Sequence, residues 1–275
     1  MLDLFPAFTI NRDWKKETGH RIDWAHPKDI NEKIQWLQCF SDTRHWSRLS
    51  DKLLVREYVK EKGFESLLVP LLGTWKRAAD IPWDSLPPSF VLKCNHDSGS
   101  TRIIGPGTDR QAVADDLDRA LGQKYGYRMG ELHYKRIEPC IIAEAFIGSA
   151  GARPVDYKVW CFGGKPYCIM TCHDRTENSV CLNVYTTDWV HRPEVVVPSA
   201  HYRTGGELPR PDKLDEMLRA ASVLAQGFPQ VRADFYEVDG RLYFGELTFT
   251  SMAGRMTYYT PEFLKELGQM VQLPE

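Results

Sequence analysis

The spacing of hydrophobic positions changes along the chain, and the first quarter has helical spacing. Asp29 and Glu32 resemble a capping box ahead of an apolar stripe that recurs every three or four residues. Ser50 is expected to cap the next helix, which Gly63 ends. The proline-rich segment 82–88 then interrupts the pattern, and it predicts a boundary before the main domain.

After this boundary the pattern is typical of strands. Short apolar runs at 90–94 and 140–147 predict two strands, and the segments 156–172 and 231–248 predict β-hairpins. A long amphipathic segment, 212–227, predicts a helix between the hairpins. Strands and helices do not alternate strictly, so the pattern favours the α+β class.

Composition narrows the class of protein. Among 275 residues, 43% are hydrophobic and 26% are charged, which excludes a disordered chain. The 35 basic and 37 acidic residues leave a net charge of -2 without a basic block, so nucleic acid is not an expected partner. Neither an apolar run long enough to span a bilayer nor an export signal is evident, and the seven scattered cysteines fit a reducing compartment. We therefore expect a cytoplasmic protein with no membrane span.

A strand lysine before a loose loop is the first candidate for chemistry. The two commonest nucleotide fingerprints, the Walker A sequence and G-x-G-x-x-G, are absent. Lys93 nevertheless ends a strand and precedes the loop 95–101, whose N–H groups and hydroxyls suit a triphosphate. A surface loop after an edge strand explains the same residues.

The first hairpin carries a second candidate. A two-residue turn at Gly163-Gly164 pairs Lys158 with Ile169, and this register places Asp156, Lys158, Thr171 and Arg175 on one face. Two cations beside one carboxylate suit an anionic ligand. A solvated outer face is the alternative.

The second hairpin is the sharpest feature. Arg232 and Asp234 share one strand face, and Glu246 shares a face with Thr248 on the returning strand. A three-residue loop, 238–240, brings Asp234 and Glu246 to the same face, whereas a two-residue loop separates them. We expect the three-residue loop, because two carboxylates held together there suit Mg²⁺. An exposed hairpin with a surface ion pair is the alternative.

The order of these features resembles the ATP-grasp superfamily. Within it, the strings DKLLVREYVKEKG, LLVPLLGTW, FVLKCNHDSGS, DYKVWCFGGKP and VRADFYEVDGRLYFGELTF resemble the TupA-like branch, which is associated with bacterial surface-polysaccharide and teichuronopeptide biosynthesis. The resemblance covers about residues 31–254. It implies an ATP-grasp fold of two α+β lobes with ATP between them, after a short helical segment. The implied division is a helical segment and linker at 1–88 and an ATP-grasp domain at 89–275, with lobes at about 89–145 and 146–275.

The resemblance also implies roles for individual residues. Lys52 and Lys93 would hold the α- and β-phosphates, and Glu144 would lie near adenine. The remaining groups are the phosphate loop with Asn95, Ser98, Gly99 and Ser100; the adenine strand with Ala145, Phe146 and Ile147; the γ-phosphate and acyl-group residues Lys158, Arg175 and Arg232; and the Mg²⁺ ligands Asp234, Glu246 and Thr248. Thr248 departs from the superfamily, which usually has Asn there. The N-terminus also lacks the Rossmann-like domain that begins many ATP-grasp enzymes.

The implied activity is that of an ATP-dependent carboxylate–amine ligase with ATP and Mg²⁺ as cofactors. One partner would be an amine or an amino acid. The other would be a carboxylate, either a uronic acid or an amino acid, and this carboxylate would belong to a small molecule or to a lipid-linked saccharide. Three alternatives stay open: a phosphotransferase that stops after γ-phosphoryl transfer, a glycosyltransferase of polysaccharide biosynthesis, and a non-catalytic carbohydrate-binding protein. Asp-x-Asp, common in glycosyltransferases, is absent.

Overall fold

The computed structural model describes residues 6–148 and 154–274. Its helices are α1 (Pro6–Thr18), α2 (Ile30–Phe40), α3 (Arg44–Ser50), α4 (Val55–Glu61), α5 (Arg110–Leu121), α6 (Leu214–Leu224) and α7 (Pro261–Met270). Its strands are β1 (Leu71–Trp75), β2 (Phe90–Cys94), β3 (Arg102–Ile104), β4 (Ile141–Ala145), β5 (Asp156–Phe162), β6 (Lys165–His173), β7 (Val180–Thr186), β8 (Tyr202–Arg203), β9 (Gln230–Val238) and β10 (Arg241–Thr248). Within the described ranges, no helix combines the length and the apolar character needed to cross a membrane.

The chain divides into two compact units, residues 44–148 and residues 1–43 with 149–275. The first unit contains an antiparallel sheet in the order β1-β4-β2-β3. Leu92 and Ile141 are fully buried in an apolar cluster with Leu117 of α5, so this helix covers one face of the sheet. The proline-rich segment lies inside the unit, because Leu71–Trp75 pairs with β4 as an edge strand.

The second unit contains a sheet in the order β10-β9-β5-β6-β7-β8, antiparallel except for the short β7-β8 pair. Helix α6 packs against β5, β6 and β9. Along β9 the buried apolar residues Val231, Ala233 and Phe235 alternate with Arg232 and Asp234. Successive strand residues point to opposite faces, so the charged side chains lie on one face of the sheet.

The first hairpin has the expected two-residue turn but a different register. Gly163 and Gly164 have φ of 55° and 81°, which suits a tight turn. A bulge beyond the turn shifts the pairing by one residue, so Lys158 lies opposite Met170 and Thr171 lies opposite Tyr157. The prediction that Thr171 shares a face with Lys158 is therefore wrong, because the bulge reverses the alternation.

The second hairpin reaches the expected pairing by another route. Asp239 and Gly240, with φ of 51° and 69°, form a two-residue turn, so the prediction of a three-residue loop is wrong. A bulge at Gly245 then restores the register and places Glu246 opposite Asp234. A Cβ at Gly245 would lie 3.1 Å from the Asp234 carbonyl oxygen, and this close approach explains why glycine occupies the bulge.

Of the two predicted helix N-caps, the structure shows one and not the other. Asp29 caps α2 by accepting a hydrogen bond from the Glu32 N–H at 2.9 Å, as expected. Ser50 instead ends α3, and the Asp51 carboxylate accepts from the N–H of Leu53 at 2.8 Å. Helix α4 itself begins at Val55 without a side-chain cap, and the Asp51 carboxylate orders the turn that precedes it.

A strained turn follows β10, and α2 supports it. Met252, Ala253 and Gly254 have φ of 48°, 51° and 66°, a left-handed run that costs free energy for residues other than glycine. The buried Gln35 amide donates to the Ala253 carbonyl at 2.6 Å. The Asn31 side chain both donates to the carbonyl of Met256 and accepts from its N–H, each at 3.0 Å. One face of α2 therefore holds this turn in place.

Candidate active site

A buried ion cluster lies on the charged face of the six-stranded sheet. Arg232 donates to both carboxylate oxygens of Asp234, from Nε at 2.7 Å and from Nη2 at 2.8 Å. Lys158 of the neighbouring strand donates to the same carboxylate at 2.5 Å. Asp234 is 1% exposed, so these charge-assisted bonds lie almost entirely out of water.

The electrostatics of the cluster fix its charges. Burial opposes the charged form of each group, yet Arg232 and Lys158 hold the pKa of Asp234 below its usual value. Against the same burial, Asp156 and Asp234 raise the pKa of Lys158. Asp234, Lys158 and Arg232 are accordingly all ionised at neutral pH.

Asp156 is a third carboxylate in the cluster. Its Oδ2 lies 2.7 Å from the Lys158 ammonium, whereas its Oδ1 is buried without a hydrogen-bond partner in the structure. The pKa of Asp156 is raised, and burial is the largest cause of the increase. This carboxylate, in turn, is the largest cause of the raised pKa of Tyr236, which lies opposite it on β9. An unused buried oxygen of this kind is suited to a cation.

Glu246 and Thr248 project from β10 beside these residues. The Thr248 hydroxyl accepts from Arg232 Nη2 at 3.1 Å and donates to Glu246 Oε1 at 3.2 Å. The Glu246 side chain is 36% exposed and its Oε1 lies 3.7 Å from Arg232, so it is the solvent-facing carboxylate of the cluster. The structure thus brings Lys158, Arg232 and the three expected metal ligands together.

Arg175 lies at the margin of this group. It is exposed in the turn between β6 and β7. Burial raises the pKa of the Cys172 thiol to about 11, and Lys158, Arg232 and Arg175 all act on this thiol in the opposite direction. Arg175 therefore acts on Cys172 beside the cluster, and among the described residues it makes no ion pair with the cluster itself.

The other unit carries a second group of charges on its four-stranded sheet. Lys93 of β2 pairs with Glu144 of β4 at 2.6 Å. Arg56 of α4 approaches the other oxygen of Glu144 at 3.2 Å and donates to the Val69 carbonyl at 2.8 Å. Glu144 is 8% exposed, so one buried carboxylate holds two cations.

The loop after β2 is ordered by its own polar groups. The buried Asn95 side chain accepts from the N–H of Cys140 at 2.8 Å and donates to the Glu138 carbonyl at 3.1 Å. Ser100 is also buried, and its oxygen accepts from the N–H of Cys94 at 2.8 Å. Asn95 and Ser100 therefore hold the loop together.

The other expected phosphate-binding residues occupy more accessible positions. Ser98 and Gly99 are exposed at the surface of the loop, and Ser98 lies 2.6 Å from the Tyr125 hydroxyl. Lys52, in the turn before α4, donates from its ammonium to the Asp97 carbonyl and from its N–H to Asn95. The loop and the Lys52 turn are thus joined by direct hydrogen bonds.

The segment expected to face adenine begins at the end of β4. Glu144 and Ala145 close the strand, and Phe146 and Ile147 follow without regular structure. The Ala145 N–H donates to the Pro70 carbonyl at 2.9 Å, so it is used within the unit.

Arg56 was missed from the sequence, and two other residues make contacts that the sequence did not indicate. Arg56 follows Lys52 by four residues, and this spacing in a helix would have placed both cations on one side. Asp156 was grouped with Lys158 but assigned no role. Ser251 accepts a hydrogen bond from Arg232, a contact across the turn after β10 that no local pattern indicates.

The fold and these charges together define a mixed α+β protein in which antiparallel strands present clustered cations and carboxylates. The family model for TupA-like ATP-grasp proteins matches residues 32–272, so the chain belongs to the TupA-like ATP-grasp family. No curated protein matches the chain significantly.

Several solved structures are similar to the chain. D-alanine–D-alanine ligase from Bacillus anthracis is 15% identical, with a TM-score of 0.43, over 74% of this chain and 57% of that protein. D-alanine–D-alanine ligase from Helicobacter pylori is 12% identical, with a TM-score of 0.47, over 89% and 70%. The ATP-grasp ligase PsnB, complexed with a phosphomimetic variant of a minimal precursor, Mg and ADP, is 12% identical, with a TM-score of 0.43, over 83% and 59%. The chain thus spans little more than half of the first of these structures.

The family match confirms the expected resemblance, and the observed architecture confirms the mixed α+β class. The expectation of an ATP-grasp protein is confirmed at the level of the family.

Proposed function

We propose that this chain is an ATP-dependent carboxylate–amine ligase that forms an amide bond through an acyl-phosphate intermediate. Family membership supports the proposal. The single observation that carries it is the buried cluster, in which Lys158 and Arg232 lie among Asp156, Asp234 and Glu246 on one sheet face. Cations and carboxylates of this kind suit a phosphoryl group and its metal.

The donor set fits Mg²⁺. Asp234 Oδ2 accepts from both cations, but Oδ1 accepts only from Arg232 Nε, and a carboxylate oxygen offers two lone pairs. Glu246 is solvent-facing, and Asp156 Oδ1 is a buried acceptor without a partner. Asp234 and Glu246 would hold the ion, with the Thr248 hydroxyl beside them. When bound, Mg²⁺ would neutralise part of the negative charge of the phosphates.

We assign the other sheet to ATP. Lys93 and Lys52 would bind the α- and β-phosphates, and the accessible Ser98 and Gly99 would contribute the loop contacts. Asn95 and Ser100 would keep that loop in shape. Glu144 and the segment Ala145, Phe146 and Ile147 would bind adenine, with Arg56 holding Glu144. The nucleotide-binding region would then be the ATP-grasp domain at 89–275, together with Lys52 and Arg56 from the preceding segment.

The reaction needs two bond exchanges. A carboxylate oxygen of the acid forms a bond to the γ-phosphorus of ATP, and ADP leaves with the electron pair of the broken bond. The amine nitrogen then attacks the acyl carbon, inorganic phosphate leaves, and a proton from the amine passes to solvent. Lys158 and Arg232 would balance the charge of the transferred group, and Arg175 would orient the acyl oxygen.

The family suggests the substrates. We propose that the acid is a uronic acid or an amino-acid carboxylate of a bacterial surface polysaccharide, carried by a small molecule or by a lipid-linked saccharide, and that the amine is an amino acid. Because ATP is the energy source, the reaction would take place in the cytoplasm.

The first test is a thermal-shift titration with Mg²⁺ and a non-hydrolysable ATP analogue. A ligand at one hundred times its Kd stabilises a protein by about 2.7 kcal/mol, which raises Tm by several degrees. We expect a shift that requires Mg²⁺, is lost in Glu246→Ala, and is retained in Glu207→Ala, which removes an exposed glutamate from a loop. No shift in folded wild-type protein would refute the proposal.

A second test separates the ligase from a kinase. Hydroxylamine traps an acyl phosphate as a hydroxamate, so the ligase should yield hydroxamate and ADP from ATP and the acid. A stable phosphorylated product that resists hydroxylamine would identify a phosphotransferase instead.

A further inference from the structure

A compact group of three side chains lies at the end of β6, and none of the roles above uses it. His173 ends β6, Asp174 begins the turn that follows, and Cys181 lies on β7. Each side chain offers one ligand atom, and these three atoms all lie within 4.8 Å of one another. Imidazole, carboxylate and thiolate are the groups that bind zinc in proteins.

The pairing of β6 with β7 brings two of these side chains together. His173 and Cys181 are directly opposite each other in the antiparallel pair. Opposite residues share one face of a sheet, with Cβ atoms about 4.5–5.5 Å apart. Thr171 lies two residues before His173 and faces away from the ion cluster, so His173 also lies on the face opposite to that cluster. The group is therefore separate from the proposed magnesium site.

A left-handed residue adds the third side chain. Successive strand residues point to opposite faces, which would separate Asp174 from His173. Asp174 instead has a φ of +44°, and a residue in this conformation ends the alternation of the strand. Its carboxylate Oδ2 lies 3.9 Å from Nε2 of His173. The conformation of the turn thus allows the carboxylate to join the two strand residues.

The imidazole of His173 is not engaged elsewhere. Its Nδ1 is buried without a hydrogen-bond partner, and the 3.9 Å from Nε2 to the Asp174 carboxylate is longer than a hydrogen bond. His173 is only 8% exposed, so a ring without partners costs free energy unless something else satisfies it. A bound ion is one of the ordinary explanations for such a buried group.

A glycine lies against the two buried side chains. A Cβ at Gly205 would lie 2.5 Å from His173 Nε2 and 3.3 Å from the Cys181 Cβ. The φ of Gly205 is outside the left-handed region, so packing rather than backbone conformation requires glycine here. The Asn183 side chain holds the segment by accepting from the Gly205 N–H at 3.3 Å and donating to the Gly206 carbonyl at 2.8 Å. The chain therefore crosses the group closely without a side chain that would displace the imidazole.

The donor set favours zinc over magnesium. Thiolate and imidazole are ligands of zinc, whereas magnesium prefers oxygen. One thiolate and one carboxylate would also balance the charge of a divalent ion. The donors of a tetrahedral zinc ion lie about 3.3–3.7 Å apart, so small side-chain rotations would close this group around an ion. The side chain of Asp174 is 77% exposed, which leaves a side from which the ion and a water ligand can enter.

We propose that His173, Asp174 and Cys181 bind a zinc ion, with water as the fourth ligand. Cys181 would release its thiol proton to solvent on binding, because the thiolate is the ligand. The ion would link the turn after β6 to β6 and β7, and this turn carries Arg175. The inference goes beyond the proposed ligase function and does not depend on it.

The test is titration of the full chain, kept reduced with a phosphine, with Zn²⁺ and with Co²⁺ as a spectroscopic probe. We expect a thiolate-to-cobalt charge-transfer band that Zn²⁺ abolishes and that excess Mg²⁺ does not. Cys181→Ser should remove the band. The matched control Cys39→Ser, which changes a half-buried cysteine of the same unit, should keep it.

The other ligands and the glycine are tested by Zn²⁺ affinity. Asp174→Asn should weaken binding at least about tenfold, because even substitutions next to metal ligands typically cost about 10–100-fold. Asp188→Asn, which changes an exposed aspartate after β7, should leave the affinity unchanged. Gly205→Ala should weaken binding by displacing the imidazole, whereas Gly206→Ala, with nothing within 4 Å of its Cβ position, should not.

The inference fails if the wild-type chain binds neither ion, or if the thiolate band survives in folded Cys181→Ser. Asp174 is exposed, so Asp174→Asn should fold even if the cysteine variant does not, and an unchanged Zn²⁺ affinity in it would also overturn the site. Displacement of Co²⁺ by Mg²⁺ at similar concentrations would place the ion in the carboxylate cluster instead. Loss of the ATP-analogue shift with intact Zn²⁺ binding would refute the ligase proposal alone.

Discussion

Gly254 is the position where the support of the strained turn by α2 can be measured most directly. It has a φ of +66°, and a Cβ built there would lie 2.9 Å from the Asn31 carbonyl oxygen and 3.0 Å from the Ile34 side chain. Gly227 in the same unit also has a positive φ, +85°, but nothing lies within 4 Å of its Cβ position. The two glycines therefore share the conformational requirement and differ in packing.

The expected losses follow from this difference. A left-handed conformation costs a residue other than glycine about 1–2 kcal/mol, which applies to both Gly227→Ala and Gly254→Ala. Overpacking a tight site adds about 1–3 kcal/mol, and this term applies only to Gly254→Ala. We expect Gly227→Ala to lower the free energy of unfolding by about 1–2 kcal/mol and Gly254→Ala to lower it by about 2–5 kcal/mol.

Urea unfolding followed by circular dichroism measures both losses. The m-values of the two variants should match that of the wild type, so that the midpoints report stability alone. A difference of less than about 0.5 kcal/mol between the two variants would show that α2 does not pack against the turn in this way.

Three further predictions concern stability and nucleotide affinity. Burial lowers the pKa of His133 to about 3, whereas in the unfolded chain this histidine takes up its proton near pH 6.5. The free energy of unfolding should therefore fall as the pH drops through 6.5, and between pH 7 and pH 5 His133→Phe should lose about 2 kcal/mol less of it than the wild type. Urea unfolding at the two pH values measures this difference, and equal losses would contradict the prediction. The buried Trp160 N–H donates to the Tyr259 hydroxyl at 3.1 Å, and Tyr259→Phe removes this acceptor. The variant should lower the free energy of unfolding by about 1–3 kcal/mol in the same assay, and a smaller loss would show that the indole has another acceptor. Arg56→Met should weaken binding of the ATP analogue about tenfold by calorimetry while Arg56→Lys retains most of it, and an unchanged Kd in Arg56→Met would refute the role of Arg56.

Local patterns predicted most of the elements that position the candidate site. The N-cap at Asp29, the strand at 90–94 and the Gly163-Gly164 turn all depend on neighbouring residues, and the structure confirms them. The strand at 71–75 was missed, because it is a partly exposed edge strand whose partner lies some seventy residues later. The prediction that Arg232 and Asp234 lie on the same strand face was correct, because alternation of side chains between the two faces is a property of the strand itself.

Pairing between strands was harder to predict. One extra residue reverses every side chain beyond it, and neither bulge has a local signal strong enough to place it. The shift in the first hairpin turned Thr171 away from the cluster, and the bulge at Gly245 brought Glu246 opposite Asp234 despite a two-residue turn. The expected pairing was therefore right for a reason other than the loop length.

The sequence by itself determined the mixed α+β class, because that class follows from the periodicity of the chain. The family and the residue types of the candidate site came from the resemblance of its motifs to known ones. Tertiary structure decided which charges meet. Lys158 and Asp234 lie opposite each other on two neighbouring strands, and Arg56 contacts Glu144 from a helix far away in sequence. Asn31 holds a turn that lies 225 residues later in the chain. Such contacts depend on register and on packing between segments far apart in sequence, and a local pattern contains no information about either.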